Sequence, residues 1–392
     1  MNNFSFYSPT RFVFGADTEN SVGDLIKDFG ASKVLIHYGG GSAVKSGLID
    51  RVKQSLNNCK ISFCELGGVQ PNPRDTLVYK GIELCRSEKV DFILAVGGGS
   101  VIDSSKAIAM GTLYDGDFWD FYSYKAELKQ ALPVGTILTI AAAGSEGSGD
   151  TVITKEQGSV KRGFGSDMLR PRFSILNPAL TTTLPPYQTA CGAADIIAHV
   201  FERYFTNTPD VEITDRMCEA VVSAIVNEVP KAMANPADYQ ARANIMWSGT
   251  MAHTNIVGVG RDQDWNSHNI EHELSAFYDC AHGAGLAVIM PAWMTYVMKH
   301  NPMKFAQAAV RIWGCSMDFE HPENTALAGI KAFRSFLGSI GLPLNFEQLG
   351  AKEEDIPKLV EMIGIGDGET GGFVHLKRAD IENIYHLAAQ YK

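Results

Sequence analysis

The chain has 392 residues, more than one ordinary hydrophobic core uses, which points to two domains. Hydrophobic residues make up 45% and charged residues 20%, the balance of a folded globular enzyme. The formal net charge of -10, from 34 basic against 44 acidic residues, makes nucleic acid and anionic membranes poor partners.

The opening "MNNFSFYSPTRFVFG" lacks the basic segment and apolar core of a signal peptide. No apolar run reaches the roughly 18 residues of a membrane span. Seven cysteines, irregularly spaced and without a C-x-x-C, read as reduced thiols of a cytoplasmic protein. In chain order, "RFVFG", "KVLIHY", "KISFCEL", "DFILAVGGGS", "VGTILTIAAAGSE" and "RFSILNP" read as strands, being short, apolar and β-branched or aromatic. Helical patterns alternate with them, as at 42–56 and 75–88, which predicts a parallel α/β sheet. From Tyr187 onward only helices are predicted, among them 187–205, 212–229 and 237–257. The boundary falls near Leu184. This gives an α/β dinucleotide-binding domain over 1–184 and an all-α metal-binding domain over 185–392.

Three glycine turns follow strands of the first half. In "LAVGGGSVIDSSKAIA", Gly97, Gly98, Gly99 and Ser100 join a strand to a helix, where backbone N–H groups and a positive helix end suit a diphosphate. The turn is not the common G-x-G-x-x-G fingerprint. Asp103 and Lys106, i and i+3 on that helix, reach ligand groups or pair with each other. Gly39, Gly40, Gly41 and Ser42 follow the second strand, where dinucleotide enzymes place an acid for the ribose 2′-OH. No Asp or Glu stands between Val34 and Lys45, so the site tolerates a 2′-phosphate and leans to NADP(H), with NAD(H) still possible. A third turn, "AAAGSEGSG", carries little by itself.

The helical half holds the metal candidates. Asp195 and His199 lie i, i+4 on one predicted helix. "SHNIEHELSAFYDCAHG" adds His268, His272 and His282, any two of which could complete a site, and the i, i+4 spacing favours His268 with His272. The stretch is not H-E-x-x-H, so a zinc-protease motif is absent. Cys280 reads as a buried or lining thiol. One carboxylate with three imidazoles suits Fe(II), Zn(II), Co(II) or Ni(II) without selecting among them. Trp119, Phe121, Trp265 and Phe277 either line an apolar pocket or fill core.

Taken together, "YGGGS", "AVGGGSVIDSSK", the Asp195-x3-His199 pair, "EHELSAFYD" and His268-x13-His282-Gly283 resemble the iron-containing alcohol dehydrogenases, closest to the butanol dehydrogenase branch of NADPH-dependent aldehyde reductases. The resemblance runs over nearly the whole chain. It implies a dehydroquinate synthase-like fold of a nucleotide-binding half and a helical metal half, a homodimer, and hydride transfer between NADP(H) and a small aldehyde or alcohol. It implies Asp195, His199, His268 and His282 as ligands of one divalent metal, Fe(II) or Zn(II). His272 then matches a histidine beside substrate and nicotinamide, a candidate proton relay. Gly97, Gly98, Gly99 and Ser100 match the diphosphate loop and Asp103 a place near the ribose and nicotinamide. Gly39, Gly40, Gly41 and Ser42 match the adenosine-ribose loop, Thr139 and Leu180 the adenine surround, and Lys161 a lysine approaching the nucleotide. The chain departs from the family at Ala143, where a threonine is usual. The alternatives are a dehydroquinate synthase-like or glycerol dehydrogenase-like enzyme, a metal-dependent hydrolase, and a non-catalytic nucleotide-binding protein.

Overall fold

The structure, a computed structural model describing residues 1–391, divides into two compact units. One comprises Tyr7–Thr183, the other Leu184–Lys392 together with Met1–Phe6. The first six residues therefore leave the α/β half to which the sequence boundary assigns them. The N–H of Asn2 donates to Gly260 O at 2.8 Å and its side chain reaches Thr208 Oγ1 at 3.4 Å, so polar contacts tie the segment to the helical unit.

The α/β unit contains β1 (Arg11–Phe14), β2 (Lys33–Gly39), β3 (Ser62–Val69), β4 (Phe92–Gly97), β5 (Val134–Leu138), β6 (Asp150–Lys155), β7 (Val160–Gly165) and β8 (Phe173–Leu176). Six of them form a parallel sheet in the order β1-β8-β5-β4-β2-β3. Alternation along each strand sorts residues to opposite faces. Val34, Ile36, Phe92, Leu94 and Val96 pack with Val22, Ile26, Leu48, Val52 and Leu56 from helices Val22–Asp28 and Leu48–Asn58. Leu35 and Ile93 pack with Val78, Ile82, Ala107 and Ile108 from helices Asp75–Glu88 and Gly99–Thr112.

That division positions the ligand-binding edge. The β2-to-β3 crossover covers one face and the β4-to-β5 crossover the other, yet β2 and β4 are neighbours, with Tyr38 level with Val96. The chain thus diverges to opposite faces between these two strands, the switch point at which open α/β sheets bind ligands beyond their carboxyl ends.

The predicted 42–56 helix is broken at Gly47, whose φ of 72° separates Ser42–Lys45 from Leu48–Asn58. The β6–β7 antiparallel hairpin was not expected. Its strands mix polar, charged and glycine residues, so no apolar alternation announces them. Phe121 is a core residue of this unit and Trp119 packs half-buried against that core, in contact with Phe118 and Tyr122.

The helical unit contains no named strand among its described residues, and its only ladder is an isolated bridge between Thr370 and Leu376. Helix Pro186–Tyr204 is buried along most of its length, and Glu212–Ala234 runs through Pro230, past the predicted stop at 229. No helix among the described residues is long and apolar enough to cross a membrane.

His37 on β2 is fully buried. Its Nδ1 donates to Leu66 O at 2.7 Å, and its Nε2 accepts from Ser104 Oγ at 2.8 Å. Burial pushes the imidazole down to about 4, so it stays neutral in the folded state at pH values where an unfolded histidine protonates. Its contribution to stability is complete above pH 6.5 and is lost as pH falls toward 4, a change of about 3 kcal/mol. Denaturant midpoints should fall across that window, and His37→Asn should flatten the fall while lowering the plateau. Equal slopes in both proteins would contradict this account.

Candidate active site

Three helices of the helical unit converge on one carboxylate. Asp195 and His199 lie one turn apart on Pro186–Tyr204, His268 lies in the first turn of Asn266–Tyr278, and His282 opens His282–Val297. The Nε2 atoms of His199, His268 and His282 stand 3.3, 3.8 and 3.8 Å from Asp195 Oδ1. Close helix approach makes this possible: a Cβ on Gly283 would lie 2.0 Å from Cys191 O, so only glycine lets the third helix begin so near the first.

Asp195 Oδ1 and His268 Nε2 are buried and have no hydrogen-bond partner among the described residues. Buried polar atoms without partners are costly. Four donors bonded to one ion at about 2.1 Å stand roughly 3.4 Å apart in a tetrahedron. The distances from Asp195 Oδ1 lie near that figure, and Asp195, His268 and His282 place their ligand atoms within 4.8 Å of one another, with His199 approaching through Asp195 alone, so the donor set fits a divalent cation. Asp195, Glu202 and Glu271 face the imidazoles, and Arg203 is a buried cation beside them. Burial lowers His268, but Asp195 and Glu202 outweigh it and raise the imidazole to about 9, binding a proton that a metal ion would displace. Burial and the neighbouring His253 and His268 push His199 well below its usual value, keeping it in the neutral form that binds metal. Burial tends to raise Asp195, but the imidazoles of His268 and His282 outweigh it and hold the carboxyl below its usual value.

His272 stands outside this group. One helical turn beyond His268, its ring centre is 6.5 Å from that of His268 and 5.5 Å from that of His282. The tight grouping pairs His268 with His282 and Asp195. Glu271, His272 and His282 also place ligand atoms within 4.8 Å of one another, but Glu271 Oε2 is already engaged by His282 Nδ1. The geometry favours His282 over the i, i+4 partner His272, since the His268 ring centre lies 5.4 Å from that of His282 and 6.5 Å from that of His272. Cys280 lines a cavity of about 450 Å³ with Tyr187, Tyr278 and Leu342.

Several site neighbours escaped the sequence reading. Glu202 accepts from His268 Nδ1 at 3.0 Å. Arg203 donates to His199 O at 2.7 Å, contacts His253 Nδ1 at 3.0 Å and stacks on Trp265 at 4.6 Å. Trp265 has a φ of 75°, unusual for so large a side chain, and its N–H is held by Glu202 Oε2 at 2.9 Å. A legible signal exists for the carboxylates, since Glu202 and Glu271 lie three residues after His199 and His268, on the same helix faces.

In the α/β unit the glycine turns stand at the switch point. Gly39 ends β2 and Gly97 ends β4 in adjacent register. Helix Gly99–Thr112 begins there, with no capping side chain and no acid in its first turn. A Cβ on Gly40 or Gly41 would meet nothing within 4 Å, so crowding does not explain these glycines; Gly41 has a φ of 133°, a conformation that favours glycine. Thr139 follows β5, its N–H bonded to Gly97 O at 3.0 Å, and Leu180 lies after β8 against the sheet core.

Asp103 and Lys106 neither pair directly nor stand open. Asp103 accepts from Ser145 Oγ at 2.6 Å and Val152 N at 3.0 Å. Lys106 Nζ donates to Ser145 O, Ser148 O and Asp150 O at 2.8, 2.9 and 2.7 Å. Both staple the third glycine turn to the diphosphate-type helix. Lys161 is buried and donates to Asn72 Oδ1 at 3.1 Å. Ala143, at the family's usual threonine, faces Gly99, where a Cβ would lie 3.4 Å from its methyl.

Comparison with known proteins agrees with this arrangement. A family model for iron-containing alcohol dehydrogenase matches residues 9–178, and one for the C-terminal region of the Fe-containing alcohol dehydrogenase family matches 189–389. The chain belongs to the iron-containing alcohol dehydrogenase family. It is 40% identical to NADH-dependent butanol dehydrogenase A of Clostridium acetobutylicum over 99% of both chains. It is 35% identical to the NADPH-dependent aldehyde reductase YqhD of Escherichia coli over 93% of both. The crystal structure of NADH-dependent butanol dehydrogenase A from Thermotoga maritima superposes with a TM-score of 0.96 at 42% identity, covering 100% of this chain and 99% of that one. Family membership makes the protein a metal-dependent oxidoreductase acting on CH–OH groups with a nicotinamide cofactor, and sets aside the hydrolase and non-catalytic alternatives.

The geometry separates the histidines experimentally. His268→Ala and His282→Ala should lose most bound metal by elemental analysis of anaerobically prepared protein, while His272→Ala keeps it. Equal loss in all three variants would overturn the grouping.

Proposed function

We propose that the protein reduces short primary aldehydes such as butanal, reversibly, with NADP(H) preferred over NAD(H). The observation that carries this reading is the convergence of Asp195, His199, His268 and His282 with unpartnered buried donor atoms. These four would hold the metal, Fe(II) or Zn(II), whose chemistry there is Lewis-acid polarisation of a carbonyl oxygen, while the nicotinamide supplies hydride.

The chain's own residues do the rest. His199, kept neutral by burial, presents a lone pair, and Asp195 supplies the negative charge. His272 is half-buried beside His282, and we assign it the relay that delivers a proton to the nascent alcohol oxygen, a role suited to an imidazole near neutral pH. Gly97, Gly98, Gly99 and Ser100 would take the diphosphate on backbone N–H groups. Thr139 and Leu180 would flank the adenine. Asp103 and Lys161 would act by holding the walls of the nucleotide site, through the turn at Ser145 and through Asn72.

The coenzyme preference rests on Gly39, Gly40, Gly41, Ser42 and the exposed Lys45, which offer small groups and a positive charge but no carboxylate to repel a 2′-phosphate. Relatives named for NADH and for NADPH both occur, so measurement decides. We also propose a cytoplasmic homodimer joined along β1, which ends the sheet with β8 as its single neighbour, and whose mass light scattering reads directly.

The deciding experiment compares kcat/KM for butanal with NADPH and NADH in metal-loaded protein. NADPH should be the better coenzyme, and Lys45→Ala should lower only the NADPH value, by about five- to tenfold. No turnover of simple aldehydes with either coenzyme would reject the reading.

A further inference from the structure

Two buried carboxylates beside the proposed ligands cross from one helix to another. Glu202 shares Pro186–Tyr204 with His199 but takes the Nδ1 proton of His268 at 3.0 Å. Glu271 shares Asn266–Tyr278 with His268 but takes the Nδ1 proton of His282. Each carboxylate thus accepts from Nδ1 of the next proposed ligand along the chain, which directs that ring's Nε2 toward Asp195.

The two arms are unequal. Glu202 is held at both oxygens: Oε1 also accepts from His268 N at 3.0 Å and from Ser267 Oγ, and Oε2 from Trp265 N at 2.9 Å. Glu271 is fully buried, but its Oε2 engages His282, and its Oε1 has no partner among the described residues. The imidazoles differ in the same sense. The His282 side chain is 25% exposed, whereas those of His199 and His268 are 7% and 5% exposed. The donor set therefore has one ligand facing outward, steadied by one carboxylate.

Gly285 completes the arrangement. It lies on the first turn of the helix that His282 opens, and a Cβ there would stand 2.4 Å from Glu271 Oε1 and 2.8 Å from its Cγ. Glycine at this position gives the carboxylate the space it occupies.

We infer that Glu271, seated against Gly285, is the positioning residue that retains the metal, and that the ion enters and leaves by way of His282. A carboxylate on Nδ1 orients the ring and makes Nε2 a stronger donor. Without it His282 turns toward solvent and the ion is held by the three remaining ligands. The inference rests on the ligand assignment proposed above.

The test uses full-length protein loaded with Zn(II), then challenged with excess 4-(2-pyridylazo)resorcinol, whose absorbance follows release. Glu271→Gln keeps the shape but replaces the charge. Gly285→Ala keeps the charge but displaces the side chain and is a favourable helix substitution. Both should release zinc about tenfold faster than the parent protein. The melting temperature of the metal-free protein and the KM for NADPH should be unchanged, and His272→Ala should release at the parent rate. Parent-like release in both Glu271→Gln and Gly285→Ala would overturn the inference, as would faster release matched by a lower metal-free melting temperature. A parent protein that retains no zinc would instead count against the ligand assignment itself.

Discussion

A buried carboxylate oxygen without a hydrogen-bond partner is the constraint around which the helical unit is arranged. Asp195 Oδ1 faces three imidazole nitrogens inside 4 Å, and the surrounding carboxylates outnumber the one guanidinium beside them. Such a cluster favours a cation in it, because buried polar atoms without partners are costly. The approach of helices at Gly283, the stacking of Arg203 on Trp265 and the left-handed backbone at Trp265 all follow from bringing these donors together. Metal binding and the packing of these helices are thus one equilibrium.

Much of this was legible in the residues. Strand–helix alternation up to Leu184 and its disappearance afterward located the two halves, because parallel strands buried on both faces read as continuous apolar runs. The glycine turns marked the switch point. What spacing could not supply was the choice among His268, His272 and His282. Helical periodicity ranks residues on one element, and the partner of His268 sits on the next helix, brought back by the turn at Asp279. The family resemblance implies the pairing that periodicity leaves open.

Asp103 and Lys106 show the opposite limit. Their position beside a glycine turn suggested groups reaching for a ligand, yet their partners lie some 40 residues onward, in the turn at Ser145–Asp150. No local pattern announces a contact of that range. The β6–β7 hairpin gave no signal for a related reason: its strands pair with each other, and the residues they bury include Thr151, Thr154 and Lys161, so they carry no apolar signature. The N-terminal hexapeptide was misplaced because its partners at Thr208 and Gly260 are more than 200 residues away.

That last feature bears on how the chain is made. Ribosomal synthesis delivers Met1–Phe6 long before the surface that receives them, which exists only after Gly260 and Asp262 have emerged and folded. The sheet, whose strands all lie before residue 177, can close long before that. These six residues therefore spend much of synthesis undocked and are among the last to find their place. A helical half produced alone from Leu184 onward would lack that strap, and only adding the hexapeptide back, covalently or as a free peptide, would restore the missing edge.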